Sequence, residues 1–306
     1  MIPLKYIILL TVILLFIILI LIFPLKELSK QVDFEKYAPF NSISGIQTST
    51  GKINSDIPQI EASVGCYPLA SRIVERTIDF SAYNDELTHF STTQVCQNMI
   101  DYKTDIVIVS EMTPSQKDIL INDDKIEIVP IAKEALVFYV NKINNIESLT
   151  VEEIQKIYNE EITNWNELGG KNLKIHPYQL GKNSGGSEAC FSTIVKNNSS
   201  SNKESNIAYD MKNIIDLPTI NVGGIGYAFN MFYSKMYLKN SLKIVKINGI
   251  EPSFENITQG KYPFMFNLYF LYRNDTENPN IQKILDWILS EEGQNVIKEC
   301  GLQPIN

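Results

Sequence analysis

Asp105-Ile106-Val107-Ile108-Val109-Ser110 is a β-branched apolar run closed at each end by a polar side chain. A short apolar run without alternation marks a strand covered on both faces, as in a sheet flanked by helices. Working outward, strand-like and helix-like segments alternate. Upstream, Ile57–Ser63 and Leu87–Ser91 read as strands, Pro68–Ile78 and Thr93–Tyr102 as helices. Pro68 suits a first helical turn, where its missing N–H leaves nothing unsatisfied. Downstream, helices are predicted at Pro114–Ile121, Thr150–Tyr158, Ser187–Val195, Asn280–Leu289 and Glu292–Cys300. Strands are predicted at Ile126–Val140, Ile175–Gln179, Ile225–Phe229 and Leu242–Ile247, with a polar loop at Lys196–Ser205. Thr150-Val-Glu-Glu153 has the spacing of a capping box. The pattern predicts an α/β body with parallel strands, a class that binds ligands at strand ends.

The 306 residues are enough for about two domains or lobes. Hydrophobic residues make up 44% and charged ones 20%, which excludes a disordered or collagen-like chain and a multi-span membrane protein. The 27 basic and 35 acidic residues give a net charge of −8. That balance argues against nucleic acid, whose phosphates need a basic face. The two histidines, His89 and His176, make a histidine-rich metal centre and a Ser/His/Asp arrangement improbable.

From Tyr6 to Leu25 the chain carries no charge. Twenty residues at ~1.5 Å each cover roughly the 30 Å of a bilayer core. The run is longer than the apolar region of a signal peptide, and Phe23-Pro24-Leu25-Lys26 offers no small-residue cleavage site. It reads as an uncleaved anchor over 1–28, followed by a polar tether over 29–55. Four cysteines, Cys66, Cys96, Cys190 and Cys300, form no CxxC pair, so a zinc knuckle is not expected. One or two disulfides and free buried thiols both remain open.

Three places have the chemistry of a site. In Glu61-Ala-Ser-Val-Gly-Cys-Tyr-Pro68, a strand passes through Gly65 into a helix whose first N–H groups favour an anion. In Asn183-Ser-Gly-Gly-Ser187, two glycines let the backbone approach a ligand, and Ser184 and Ser187 can donate. Asp105 opens an apolar strand and needs a partner. Cys66 at a helix start has the position of a low-pKa thiol, but nothing in the sequence brings a base to it.

Several segments, taken in order, resemble the phosphate-binding proteins of bacterial ABC importers. They are Pro130-Ile-Ala-Lys-Glu-Ala-Leu-Val-Phe-Tyr-Val-Asn141, Leu149-Thr-Val-Glu-Glu-Ile-Gln-Lys-Ile-Tyr158 and Ile162-Thr-Asn-Trp-Asn-Glu-Leu-Gly-Gly170. Pro177-Tyr-Gln179, Asn183-Ser-Gly185, Ile225-Gly-Tyr227, Ile257-Thr-Gln-Gly-Lys-Tyr-Pro263 and Trp287-Ile-Leu-Ser-Glu-Glu-Gly-Gln294 continue the series. The resemblance implies a type II periplasmic-binding-protein fold: two α/β lobes, hinge strands, and closure around one ligand. It sets the binding domain at 56–306, one lobe at about 56–135 and 250–306, the other at about 136–249. It further implies an extracytoplasmic, monomeric, non-enzymatic receptor without a cofactor. Its partners would be phosphate or a similar oxyanion and a membrane ABC permease.

Carried over by resemblance, the ligand set is Gly65, Cys66, Tyr67, Asp105, Ser184, Gly185, Gly186 and Ser187, with Asp105 as the acid that accepts the phosphate's proton. The departures are Leu180 where the family has an arginine, Gly186 where it has Ser or Thr, and Val64 and Cys66 in the first loop. Glu61 and Ala62 replace the usual acid and glycine before that loop. Losing a charge-assisted donor costs roughly 1.5–3 kcal/mol, which Lys182 or Ser187 could offset. The departures keep a second reading open: an anchored sensor or interaction module that no longer binds phosphate.

Overall fold

The computed structural model describes residues 31–39, 51–182, 184–195 and 206–305. The apolar span at 6–25 and the whole 196–205 loop lie outside the described residues. In chain order the elements are β1 (Ile60–Ser63), α1 (Tyr67–Thr77), β2 (Leu87–Phe90), α2 (Thr92–Ile100), β3 (Ile106–Val109), α3 (Pro114–Ile121) and β4 (Ile126–Asn141). They continue with β5 (Ser148–Leu149), α4 (Val151–Tyr158), β6 (His176–Pro177), β7 (Gln179–Leu180), α5 (Gly186–Ile194), β8 (Ile207–Ala208) and α6 (Met211–Ile220). The rest are β9 (Gly224–Phe229), β10 (Leu242–Ile244), β11 (Lys246–Ile247), α7 (Phe254–Thr258), β12 (Met265–Arg273), α8 (Pro279–Leu289) and α9 (Glu291–Glu299). The expected capping box is present: Thr150 Oγ1 accepts from Glu153 N at 3.1 Å, and Glu153 Oε2 from Thr150 N at 2.7 Å.

The main sheet has eight strands in the order β2-β1-β3-β12-β4-β9-β6, with β10 also paired to β4. It is mixed, which corrects the expectation of parallel strands. β1 runs parallel to β2 and β3, whereas β12 is antiparallel to β3 and β4, and β4 to β9 and β10. The cause is the sixteen-residue β4. Its first part, Ile126 to Ala135, pairs with β12, and its second, from Leu136, pairs with β9. One strand thus passes from the first lobe into the second, and β12 lies antiparallel beside it. The sequence reading had no strand at β12, where Met-Phe-Asn-Leu-Tyr-Phe-Leu-Tyr-Arg shows neither clean alternation nor a β-branched run.

The β3 run explains the first lobe. Ile106 and Ile108 face a core shared with α1, α8 and α9, while Val107 and Val109 face a second core with α2 and α3. All four side chains are fully buried. At about 1.5–3 kcal/mol per buried aliphatic side chain, β3 is a major support of this lobe. The second lobe packs around Leu136–Val140, Tyr158, Trp165, Phe191 and Tyr227. The rings of Phe191 and Tyr227 stack at 4.2 Å.

Part of the expected tether belongs to the packed body. Glu35–Tyr37 is a 3-10 turn, and Phe34 and Tyr37 pack against the cores of both lobes. The Phe34 ring stacks on His89 at 4.0 Å, and Tyr37 Oη donates to the Lys235 carbonyl. Ile53 bridges to Ile78. Among the described residues no helix is long and apolar enough to cross a membrane. All four cysteines are free, which settles the open choice in favour of thiols.

Candidate functional site

The strands of both lobes deliver their carboxyl ends to one place. β1 ends at Ser63 and turns through Val64–Cys66 into α1. β2 passes through Ser91 into α2, β3 ends just before Ser110, β7 leads toward α5, and β8 through Asp210 into α6. Between the lobes they enclose a cavity of about 370 Å³. Its lining holds six serine and threonine side chains, Ser63, Ser91, Thr92, Ser110, Ser184 and Ser187, and the phenol of Tyr209. Gly65, Gly185 and Gly186 line it as well. Val32, Phe34, Val64, Leu180, Met211, Phe229 and Phe232 form the apolar part of the wall.

The helix starts differ in what they leave unpaired. Ser91 caps α2 by accepting from Gln94 N at 3.2 Å, and Asp210 caps α6 by accepting from Asn213 N at 2.6 Å. α5 starts at Gly185, φ +139°, with no side-chain cap. Gly186 and Ser187 at that start line the cavity, and helix-start N–H groups attract an anion. Ser63 Oγ is shut off from solvent and has no nitrogen or oxygen partner; its polar neighbour is the Cys66 thiol. A buried hydroxyl left unpaired costs about 1–3 kcal/mol and is an acceptor or donor in waiting for a ligand.

The lobes meet at the glycines. A Cβ on Gly186 would overlap Ser110 Oγ and stand 2.6 Å from the Glu111 carbonyl oxygen. A Cβ on Gly185 would stand 3.3 Å from Thr92 Oγ1. A serine or threonine at 186 has no room in this arrangement, which gives the sequence departure at that position a steric cause.

Of the residues singled out from sequence, Gly65, Ser184, Gly185, Gly186 and Ser187 come together around the cavity. Cys66, Tyr67 and Asp105 are not in its lining. Cys66 lies fully buried beneath the loop, and burial pushes its thiol up to about 12. A thiol held protonated there is no nucleophile. The Tyr67 ring turns toward Phe34 and His89 at 6.0 and 4.6 Å. Asp105 stands at the amino end of β3, opposite the cavity, where its Oδ2 accepts from Gln59 N at 2.8 Å. It lines a separate depression with Arg273 and Asp275. Glu61 is likewise outside the cavity, accepting from Asn98 Nδ2 at 2.9 Å.

Sequence reasoning missed Ser63, Ser91, Thr92 and Ser110. The signal for Ser110 was present: ligands of open α/β sheets bind at the carboxyl ends of strands, so the serine closing the run was the end to choose. The N-cap position of Ser91 ahead of a helical segment was the signal for that turn.

Charge at the cavity is closely paired. Leu180 is 5% exposed and forms part of the wall. Lys182 is exposed and outside the lining. Lys212 reaches the lining but lies 2.6 Å from Asp216, which also pairs with the buried Lys239 at 3.1 Å and accepts from Tyr237 Oη. Next to Ser110, Glu111 pairs with Lys117 and accepts from Tyr269 Oη at 3.3 Å. Among the described residues no group of three His, Cys, Asp or Glu gathers to hold a metal.

The structure is a two-lobe α/β fold with a cavity between the lobes. Residues 84–292 match the PBP superfamily domain, and the chain belongs to that superfamily. It is 27% identical over 176 residues to the phosphate-binding protein PstS of Borreliella burgdorferi, covering 56% of this chain and 63% of that protein. It is 28% identical over 174 residues to PstS of Bacillus subtilis, where the match covers 53% of the relative. The chain thus spans between about half and two thirds of these relatives. Its fold matches a Clostridium perfringens substrate-binding protein assigned to phosphate ABC transport, with phosphate bound, at TM-score 0.65 and 23% identity. That match covers 81% of this chain and 98% of the other.

Proposed function

We propose that the protein is an extracytoplasmic solute-binding protein, anchored by its N-terminal apolar span, that holds phosphate or a related oxyanion and presents it to an ABC importer. The observation that carries this reading is the gathering of serine and threonine hydroxyls and of the α5 start at Gly186 and Ser187 around one cavity. Neutral donors and helix N-termini hold an anion without a basic patch, so a net charge of −8 is compatible with it. The named functions of the relatives point the same way.

A second reading rests on Leu180. With an apolar side chain in the wall and Lys182 outside it, the cavity has lost the charge-assisted donor of the family pattern. That favours a sensor or interaction module without phosphate affinity. Equilibrium dialysis of the purified full chain against labelled phosphate at neutral pH separates the two. Saturable micromolar binding supports the receptor, and its absence in folded protein supports the sensor.

A further inference from the structure

The cavity is larger and more apolar than a bare tetrahedral oxyanion requires. It measures about 370 Å³. A four-oxygen anion has the bulk of a few waters, ~100 Å³ at ~30 Å³ per water. The lobes already approach closely at one point of the cleft, where a Cβ on Gly186 would overlap Ser110 Oγ. The spare space is bounded by Phe34, Leu180, Met211, Phe229 and Phe232. Mostly apolar walls with a few convergent polar groups, and volumes of ~300–1,000 Å³, are the marks of sites for organic ligands.

We propose that the preferred ligand is a monosubstituted oxyanion, a phosphonate or phosphomonoester with a compact apolar substituent. This rests on the oxyanion reading above and specifies its ligand. The head takes the N–H groups at the start of α5 and the hydroxyls of Ser63 and Ser110. The substituent lies against the apolar wall. Substitution removes one oxygen that would need a donor, and burial of the substituent replaces the affinity that a guanidinium at position 180 would supply. Leu180 is then a specificity residue: it trades a charged contact for apolar area.

The test is calorimetric titration of the full chain in detergent with inorganic phosphate and with methyl, propyl and butyl phosphonate at pH 7.5. The expected result is affinity rising along the alkyl series, with butyl phosphonate at least tenfold tighter than phosphate. Phe34→Ala lies on the N-terminal segment outside the strands and helices of both lobes. It is expected to erase most of the butyl advantage, read as the ratio of butyl phosphonate affinity to phosphate affinity in the same variant. Phosphate binding as tightly as or more tightly than every phosphonate overturns this proposal and leaves the oxyanion reading standing. No binding of any of the four by folded protein overturns that reading, and this proposal with it.

Discussion

Gly186 and Ser110 face each other across the two lobes with no space for a methyl group between them: a Cβ on Gly186 would overlap the Ser110 hydroxyl. The contact joins the start of α5 in one lobe to the carboxyl end of β3 in the other. It fixes how near the hydroxyls of the first lobe come to the free N–H groups of the second, and so sets the geometry of the cavity.

Gly186→Ser is therefore expected to hold the lobes apart and weaken oxyanion binding at least tenfold, an overpacking effect of about 1–3 kcal/mol. Adding Ser110→Gly should recover a large part of the loss, because the two positions share one contact and their effects are not additive. Titration of the two single variants and the double variant measures this.

Ser63→Ala should separate stability from binding. The hydroxyl is buried without a nitrogen or oxygen partner, so its removal is expected to leave the ligand-free protein as stable or slightly more so. Oxyanion affinity should fall by about 0.5–1.5 kcal/mol, the net worth of one hydrogen bond. Thermal melts with and without ligand give both quantities.

Leu180→Arg places a guanidinium in the wall. A charge-assisted donor is expected to tighten inorganic phosphate by roughly 1.5–3 kcal/mol, ten- to a hundredfold or more. Ligand-free stability should fall, since the site is nearly closed to solvent. Phosphate titration of the variant beside wild type reads the first effect, and melting reads the second.

How much of this site was legible follows from these residues. The glycines and serines at 184–187 were legible through the family resemblance; taken alone, a Gly-Gly pair before a helical segment also reads as a flexible loop capped by Ser187. The β3 run announced its burial but not its polarity: Asp105 and Ser110 bracket it, and the acid singled out from sequence stands at the end away from the cavity. Which end faces the ligand is a property of sheet direction, fixed by α/β topology and not by the run itself. Cys66 and Tyr67 lie on the correct loop but point into the core. Side-chain direction in a 3-10 turn followed at once by a helix depends on packing that a sequence does not display. β12 was missed because its side chains serve a strand with helix-covered faces at one end and the lobe crossing at the other.

Glu134 gives a pH signature. It sits fully buried in β4 just before that strand enters the second lobe, accepting from the backbone N–H groups of Ala135 at 3.0 Å and Met231 at 3.4 Å. Burial raises its carboxyl from 4.5 to about 8. Between those values the folded chain keeps a proton that the unfolded chain has lost. The contribution is therefore fully present below about pH 4.5 and is lost as pH rises through 8. Glu134→Gln should melt higher than wild type at pH 8, by about 1–3 kcal/mol or several degrees, with the gap closing toward pH 5. Comparing the two proteins cancels the opposite trend from His89 and His176, whose protonation burial disfavours.

The helix starts around the cavity are expected to hold the anion. Hydrogen–deuterium exchange of the full chain with and without saturating oxyanion tests this most directly. Slower exchange in peptides covering Ser63–Tyr67, Ser91–Gln94 and Ser184–Glu188, with the segment at Thr104 and Asp105 unchanged, is the predicted result. Protection confined to the Asp105 end of β3, or none at the α5 start under saturating ligand, would contradict it.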